Sequence, residues 1–247
     1  MKLTILADES GTLEEVASPS LDRLDRSYET AHHVFRFSAD SLAEQEIGTI
    51  VDEQERCYSD LISLFGFSMP AKIEYLLTDS PEENGQVLSE LFGTPSGPMN
   101  GFCIGPNYVF AAYTEGVKCI GHHEVAHLFS YQLCMPKSQF LSEGLAMYMD
   151  GSFWGKSNDQ WVREHIEKNA YVSVQQLVSD EVFYSFPTEL TYPISGAFVA
   201  FLVERVGADI FLNEVYASDV PLFENLAALF RCSPGQIEEQ FKNDCAR

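Results

Sequence analysis

The sequence predicts an α+β protein, an α/β amino-terminal half followed by a mainly helical half. Two observations carry this. Up to Tyr113, short strand-like runs alternate with amphipathic helical patterns; beyond Gly116 the pattern is helical almost to the end. A third bounds it: 247 residues with 45% hydrophobic and 21% charged side chains suffice for one domain with a sizeable core. The expected organisation is a single domain over 1–247, with lobes over 1–115 and 116–247.

The elements follow from local signals. His32–Ser38 alternates as a strand. A long amphipathic helix then carries Leu42, Ile47, Ile50, Val51, Tyr58, Leu61, Ile62 and Phe65 on its apolar face, and Gly66 and Pro70 end it. Ala71–Thr78 is a second strand. Pro81 opens a short helix that Gly93 closes. The turn-rich stretch 94–107 is a loop with room for one short strand, and Tyr108–Tyr113 is a third strand. Helices are expected over 117–135, 138–150, 158–168, 192–206, 209–217, 221–230 and 234–243.

Charge excludes some functions. Asp and Glu number 37 against 15 Lys and Arg, a net charge of −22 that repels nucleic acid and anionic membranes. The run MKLTILADESGTLEE is too short in apolar residues for a signal peptide, and no segment reaches the length of a membrane span, so the chain as written reads as cytoplasmic. A secreted form lacking its leader is compatible with the same sequence. The six cysteines are scattered without a CxxC pair and read as small core residues, with Cys103 and Cys119 a conceivable bridge. The chain is expected to be a monomer.

The chemistry concentrates in CIGHHEVAHLFSYQL, Cys119–Leu133. His123 and His127 are four apart, so a helix sets both imidazoles on one face, and Glu124 reaches the rim of the same place. This is the HExxH pattern: two neutral imidazoles for zinc and a glutamate that stays off the metal to take a proton from water. Val117, Ile120, Val125, Leu128, Phe129 and Leu133 flank it at helical spacing, as befits a buried helix. The bland alternative, core histidines bonded to backbone, suits a lone histidine better than the full pattern. His122 fits no ligand spacing and is expected to pack or hydrogen-bond.

A catalytic zinc needs a third protein ligand. In SQFLSEGLAMYMDG, Leu141, Leu145, Tyr148 and Met149 form an apolar stripe, and Glu143 lies within it, where a carboxylate without a partner is costly. Asp150 is the weaker candidate because Gly151 ends that helix.

HExxH followed by a helix bearing SEGLA resembles the gluzincin metallopeptidases, the peptidase MA-like group. The order of helix, strand, short helix and edge strand before the motif resembles that group too, as does LTYPISGAFVAFLVERVG, Leu190–Gly207. Residues 30–207 take part. The resemblance implies a zincin-like fold with the active site between the lobes, one zinc on His123, His127 and Glu143, Glu124 as general base, and Tyr192 as an oxyanion donor. Tyr184 is the substitute for Tyr192. The strand before the motif would offer backbone at Phe110, Ala111 and Ala112 to an extended peptide substrate.

Two departures matter. Zinc aminopeptidases grip the substrate amine with a glutamate, and GPMNG, Gly97–Gly101, lacks one. Internal cleavage is therefore expected, the alternatives being an aminopeptidase with another amine anchor, such as Glu115 or Glu189, or a zinc-binding scaffold without catalysis. Met147 stands where thermolysin-type enzymes place an aspartate that orients a histidine ligand.

Overall fold

The protein is described here from a computed structural model covering residues 1–6 and 13–246. It is an α+β chain with a mixed sheet, and its backbone divides into two compact units, Met1–Phe129 and Ser130–Arg247. The division falls inside the histidine helix rather than near Gly116.

The first unit opens with a hairpin of β1 (Lys2–Leu6) and β2 (Leu13–Ala17), then a 3-10 turn over Pro19–Arg23. The main sheet follows: β3 (Arg26–Glu29), β4 (His33–Phe37), β5 (Ile73–Thr78), β6 (Gly101–Ile104) and β7 (Tyr108–Ala112). Its order is β3-β4-β5-β7-β6, with β4, β5 and β7 parallel and the outer strands β3 and β6 antiparallel. Parallel neighbours need crossovers, supplied by α1 (Leu42–Gln45) with α2 (Ile47–Phe65), and by α3 (Pro81–Phe92). Gly66 and Gly93 end α2 and α3 in the left-handed conformation that glycine adopts without strain. Ser80 caps α3 through the Glu83 amide, and Pro81 occupies its first turn.

Both sheet faces are covered. The hairpin, the 3-10 turn and α3 bury Leu3, Ile5, Leu21, Leu24, Val87 and Leu91 against Leu76, Phe102, Ile104 and Phe110. The Phe102 and Phe110 rings, opposite each other across β6 and β7, stack at 4.4 Å. An aromatic group joins β4, β5, α2 and Phe129, with Tyr58 edge-on to Phe129 at 5.3 Å and Phe35 at 5.6 Å from Tyr75. Such pairs add about 0.5–1.5 kcal/mol beyond burial.

The histidine helix α4 (His123–Leu133) starts six residues later than its apolar pattern begins at Val117. The intervening backbone is spent otherwise. Lys118 bridges Tyr113, the Cys119 amide donates to Ala112 O at 2.9 Å, and Gly121 has φ +129. A helix cannot include these.

The second unit is mostly helical: α5 (Gln139–Asp150), a small hairpin of β8 (Ser152–Phe153) and β9 (Lys156–Ser157), α6 (Asn158–Glu167), α7 (Val174–Leu177), α8 (Asp180–Phe183), α9 (Thr188–Val206), α10 (Ala208–Ile210), a π-helix over Phe211–Tyr216, α11 (Leu222–Phe230) and α12 (Pro234–Cys245). Ser157 with Gln160 and Ser233 with Gln236 form capping boxes that open α6 and α12. Helix α9 is apolar on all sides and buried along most of its length, which marks it as the centre of the unit.

Helix α9 survives Pro193 because the orphaned carbonyl finds another donor. Proline removes the N–H that Glu189 O would accept, and His165 Nε2 lies 3.0 Å from that oxygen. Helices α5 and α9 meet through glycine. A Cβ on Gly144 would lie 2.8 Å from Ser195 O, and one on Gly196 would lie 2.6 Å from Met147 Cβ. Asn158, buried at the start of α6, donates to Met147 O at 2.8 Å. These contacts fix α5, and with it Glu143. All six cysteines are thiols, Cys103 and Cys119 included. No helix of the described residues is long and apolar enough to cross a membrane.

Candidate metal centre

The structure brings His123, His127 and Glu143 together. One ligand atom from each lies within 4.8 Å of the others. The i,i+4 spacing on α4 sets the two imidazoles face to edge, with centroids 5.0 Å apart and planes 85° crossed. His127 is buried and the other two are half-buried. Two imidazoles and a carboxylate at this separation suit a metal ion, and that donor chemistry fits zinc among others. Asp150 is not in the group.

Glu124 lies in the first turn of α4, against β6. A Cβ on Gly101 would come within 3.1 Å of Glu124 Oε1 and 2.5 Å of Cys119 Sγ. The edge strand thus lacks a side chain where the carboxylate approaches it. Gly101 stands inside the turn-rich loop stretch, and nothing in its neighbours signals this role.

His122 hydrogen-bonds, as its spacing suggests: its Nε2 lies 3.0 Å from Asp60 Oδ2. Ahead of it, Lys118 Nζ lies 2.5 Å from Glu46, which also accepts from the Tyr113 hydroxyl at 2.6 Å. Burial and that carboxylate push the Tyr113 phenol up to about 12.

In the second unit, Tyr192 projects from α9 among rings, stacked on Phe183 at 6.1 Å and 6.0 Å from Phe153. Partial burial, and then the charges of Glu143 and Asp180, raise the Tyr184 phenol above its ordinary value. Tyr216, from the π-helix, is also tied to this corner. Burial pushes it up to about 12, the nearby Ser130 and Ser142 pull the other way, and Glu143 adds to the rise. Tyr216 was invisible in the sequence, because π-helical turns carry no residue signature of their own.

Phe110, Ala111 and Ala112 do not suit the backbone docking expected of them. They are fully buried on β7, which pairs with β5 on one side and β6 on the other. Their ladder groups already have strand partners. The outer strand on that side is β6, which has no further strand beside it among the described residues.

The sequence matches no model of a known protein family, and it has no significant match among curated proteins. The site is therefore defined by its own geometry, a His-His-Glu donor group on the histidine helix and α5.

Proposed function

We propose that the protein is a zinc-dependent peptidase of gluzincin type, zincin-like in fold, that cleaves internal peptide bonds. The observation that carries this is the convergence of His123, His127 and Glu143 ligand atoms within 4.8 Å, with Glu124 adjacent to His123 on the same helix. His123, His127 and Glu143 would hold one zinc ion. Bound there, zinc supplies Lewis acidity and makes water nucleophilic near neutral pH.

The chain's own residues do the rest. Glu124 accepts a proton from the attacking water and returns it to the leaving amine, work typically worth 10²–10⁴-fold in rate. A tyrosine hydroxyl donates to the developing oxyanion, worth about 3 kcal/mol. Tyr192 holds this role, its ring fixed by Phe153 and Phe183. Tyr184, whose phenol feels Glu143, is the substitute. The outer edge of β6 pairs with an extended substrate, and Gly101, having no side chain, lets Glu124 approach that strand.

Internal cleavage is favoured because Met99-Asn100-Gly101 offers no carboxylate to anchor a substrate ammonium group. Comparing free and N-acetylated forms of one cleaved peptide by mass spectrometry tests this. Both forms should be cut at the same internal bond. Loss of cleavage on acetylation, with stepwise trimming of the free peptide, would show an aminopeptidase instead. A zinc-loaded chain inert to broad peptide libraries would favour a binding scaffold.

A further inference from the structure

Helix α4 cannot place His123 and Glu124 unless its first turn is fixed, and a residue just ahead of that turn is conformationally unusual. Gly121 has φ +129, outside the region that most residues adopt. What holds it there is a side chain from α2. With the Gln54 amide oriented to match its partners, its oxygen accepts from the Gly121 amide at 2.7 Å and its nitrogen donates to Gly121 O at 3.2 Å. Gln54 is fully buried. It stands on the apolar face of α2, one turn from Ile50 and one from Tyr58, where an amide without partners costs several kcal/mol. One glycine's donor and acceptor are thus both satisfied by one buried amide, two residues before His123.

We propose that Gln54 is a positioning residue for the metal centre: its paired hydrogen bonds to Gly121 lock the start of α4 and so hold His123 and Glu124 in place. This rests on the reading of His123, His127 and Glu143 as metal ligands. Other ties reach the preceding residues: the Tyr75 hydroxyl lies 3.5 Å from Cys119 O, and the Cys119 amide donates to Ala112 O. They fix Cys119, whereas Gln54 sets Gly121 itself. Groups that orient metal ligands without touching the metal typically contribute 10–100-fold in metal affinity.

The experiment compares wild type, Gln54→Met, Gln54→Glu and an Ile50→Val control on the same buried face. Zinc affinity is measured by competition with a chromogenic chelator, and folding by circular dichroism and thermal melting. Gln54→Met removes both hydrogen bonds at similar volume, and Gln54→Glu loses the donor while keeping an acceptor. The expected result is zinc affinity lowered about 10-fold or more in both Gln54 variants, with Ile50→Val binding as wild type does despite its lost methyl group. Folded Gln54 variants with wild-type zinc affinity would overturn the proposal, as would equal loss in Ile50→Val. Hydrogen exchange of the Gly121 amide in the wild-type chain decides the matter if the variants do not fold: protection is expected, and exchange at the rate of an exposed loop amide would overturn the lock. A wild-type chain that binds no zinc would instead sink the metal-centre reading, and the positioning role with it.

Discussion

His123 and His127 stand one turn apart on the histidine helix, their ring centroids 5.0 Å apart and their planes crossed at 85°. Crossed rings aim their nitrogens toward one region, and Glu143 Oε completes a group within 4.8 Å. The third donor should therefore matter far more than a nearby carboxylate outside the group. Glu143→Ala is expected to weaken zinc binding by more than the roughly 10–100-fold typical of losing a group that only supports a ligand, and Asp150→Ala to leave it nearly unchanged. Chelator competition measures both, and equal effects would remove Glu143 from the ligand set.

The proposed role of Glu124 is proton transfer rather than metal binding. Glu124→Gln keeps the shape of the side chain beside Gly101 but cannot accept a proton. The variant should retain its zinc and lose about 10²–10⁴-fold in kcat on any peptide the wild type cleaves. Wild-type turnover in the zinc-loaded variant would exclude the role.

The glycine contact that places the Glu143 helix carries its own prediction. Alanine favours a helix over glycine by about 1 kcal/mol, yet at Gly196 its Cβ would meet Met147 Cβ and Asn158 Nδ2 at 2.6 Å. Overpacking of that kind costs about 1–3 kcal/mol. Gly196→Ala should lower the chemical-denaturation midpoint, whereas Gly235→Ala, where a Cβ meets nothing within 4 Å, should not. A more stable Gly196→Ala would mean that the helices readjust freely.

Acid should destabilise the first unit in two stages. His33 is buried, which lowers its pKa below 6.5 against the pull of Glu55 and with a small push from His32. The unfolded chain then takes the proton first, and stability falls as pH drops below about 6.5. Burial raises Glu55, but hydrogen bonds from Thr30, His32 and His33 outweigh it and hold the carboxyl at about 2, against an ordinary 4.5. Its contribution is present above 4.5 and is lost as pH falls from there toward 2. Thermal midpoints measured across this range should show both declines. Glu55→Gln should start lower at neutral pH and flatten the decline between 4.5 and 2. An unchanged profile in the variant would show that Glu55 contributes little.

The parts of this site that the sequence reveals are those governed by local periodicity. His123 and His127 are legible because i,i+4 spacing alone puts them together, and Glu143 because a carboxylate interrupts an apolar stripe. The strands His33–Phe37, Ile73–Thr78 and Tyr108–Ala112 and the helices Pro81–Phe92 and Gln139–Asp150 follow the same local rules. What escaped depends on pairing between distant segments. Phe102 faces Phe110 only because β6 lies outside β7, and no local pattern states strand order, so the inner position of Tyr108–Ala112 cannot be read from its own residues. The apolar run from Val117 reads as helix, while Ala112 O and Gln54 take its backbone groups instead. Gln54 did leave a trace, as the polar residue at an apolar position of α2. Arg26–Glu29 left none, being an edge strand with every residue exposed.

The most direct test is the metal content of the wild-type chain. Protein purified without chelator, offered zinc and freed of excess by gel filtration, is analysed by inductively coupled plasma mass spectrometry. The arrangement of His123, His127 and Glu143 predicts close to one zinc per chain, falling to near zero in a His123→Ala/His127→Ala double variant that still folds. A wild-type stoichiometry near zero, or full zinc retention in the double variant, would contradict it.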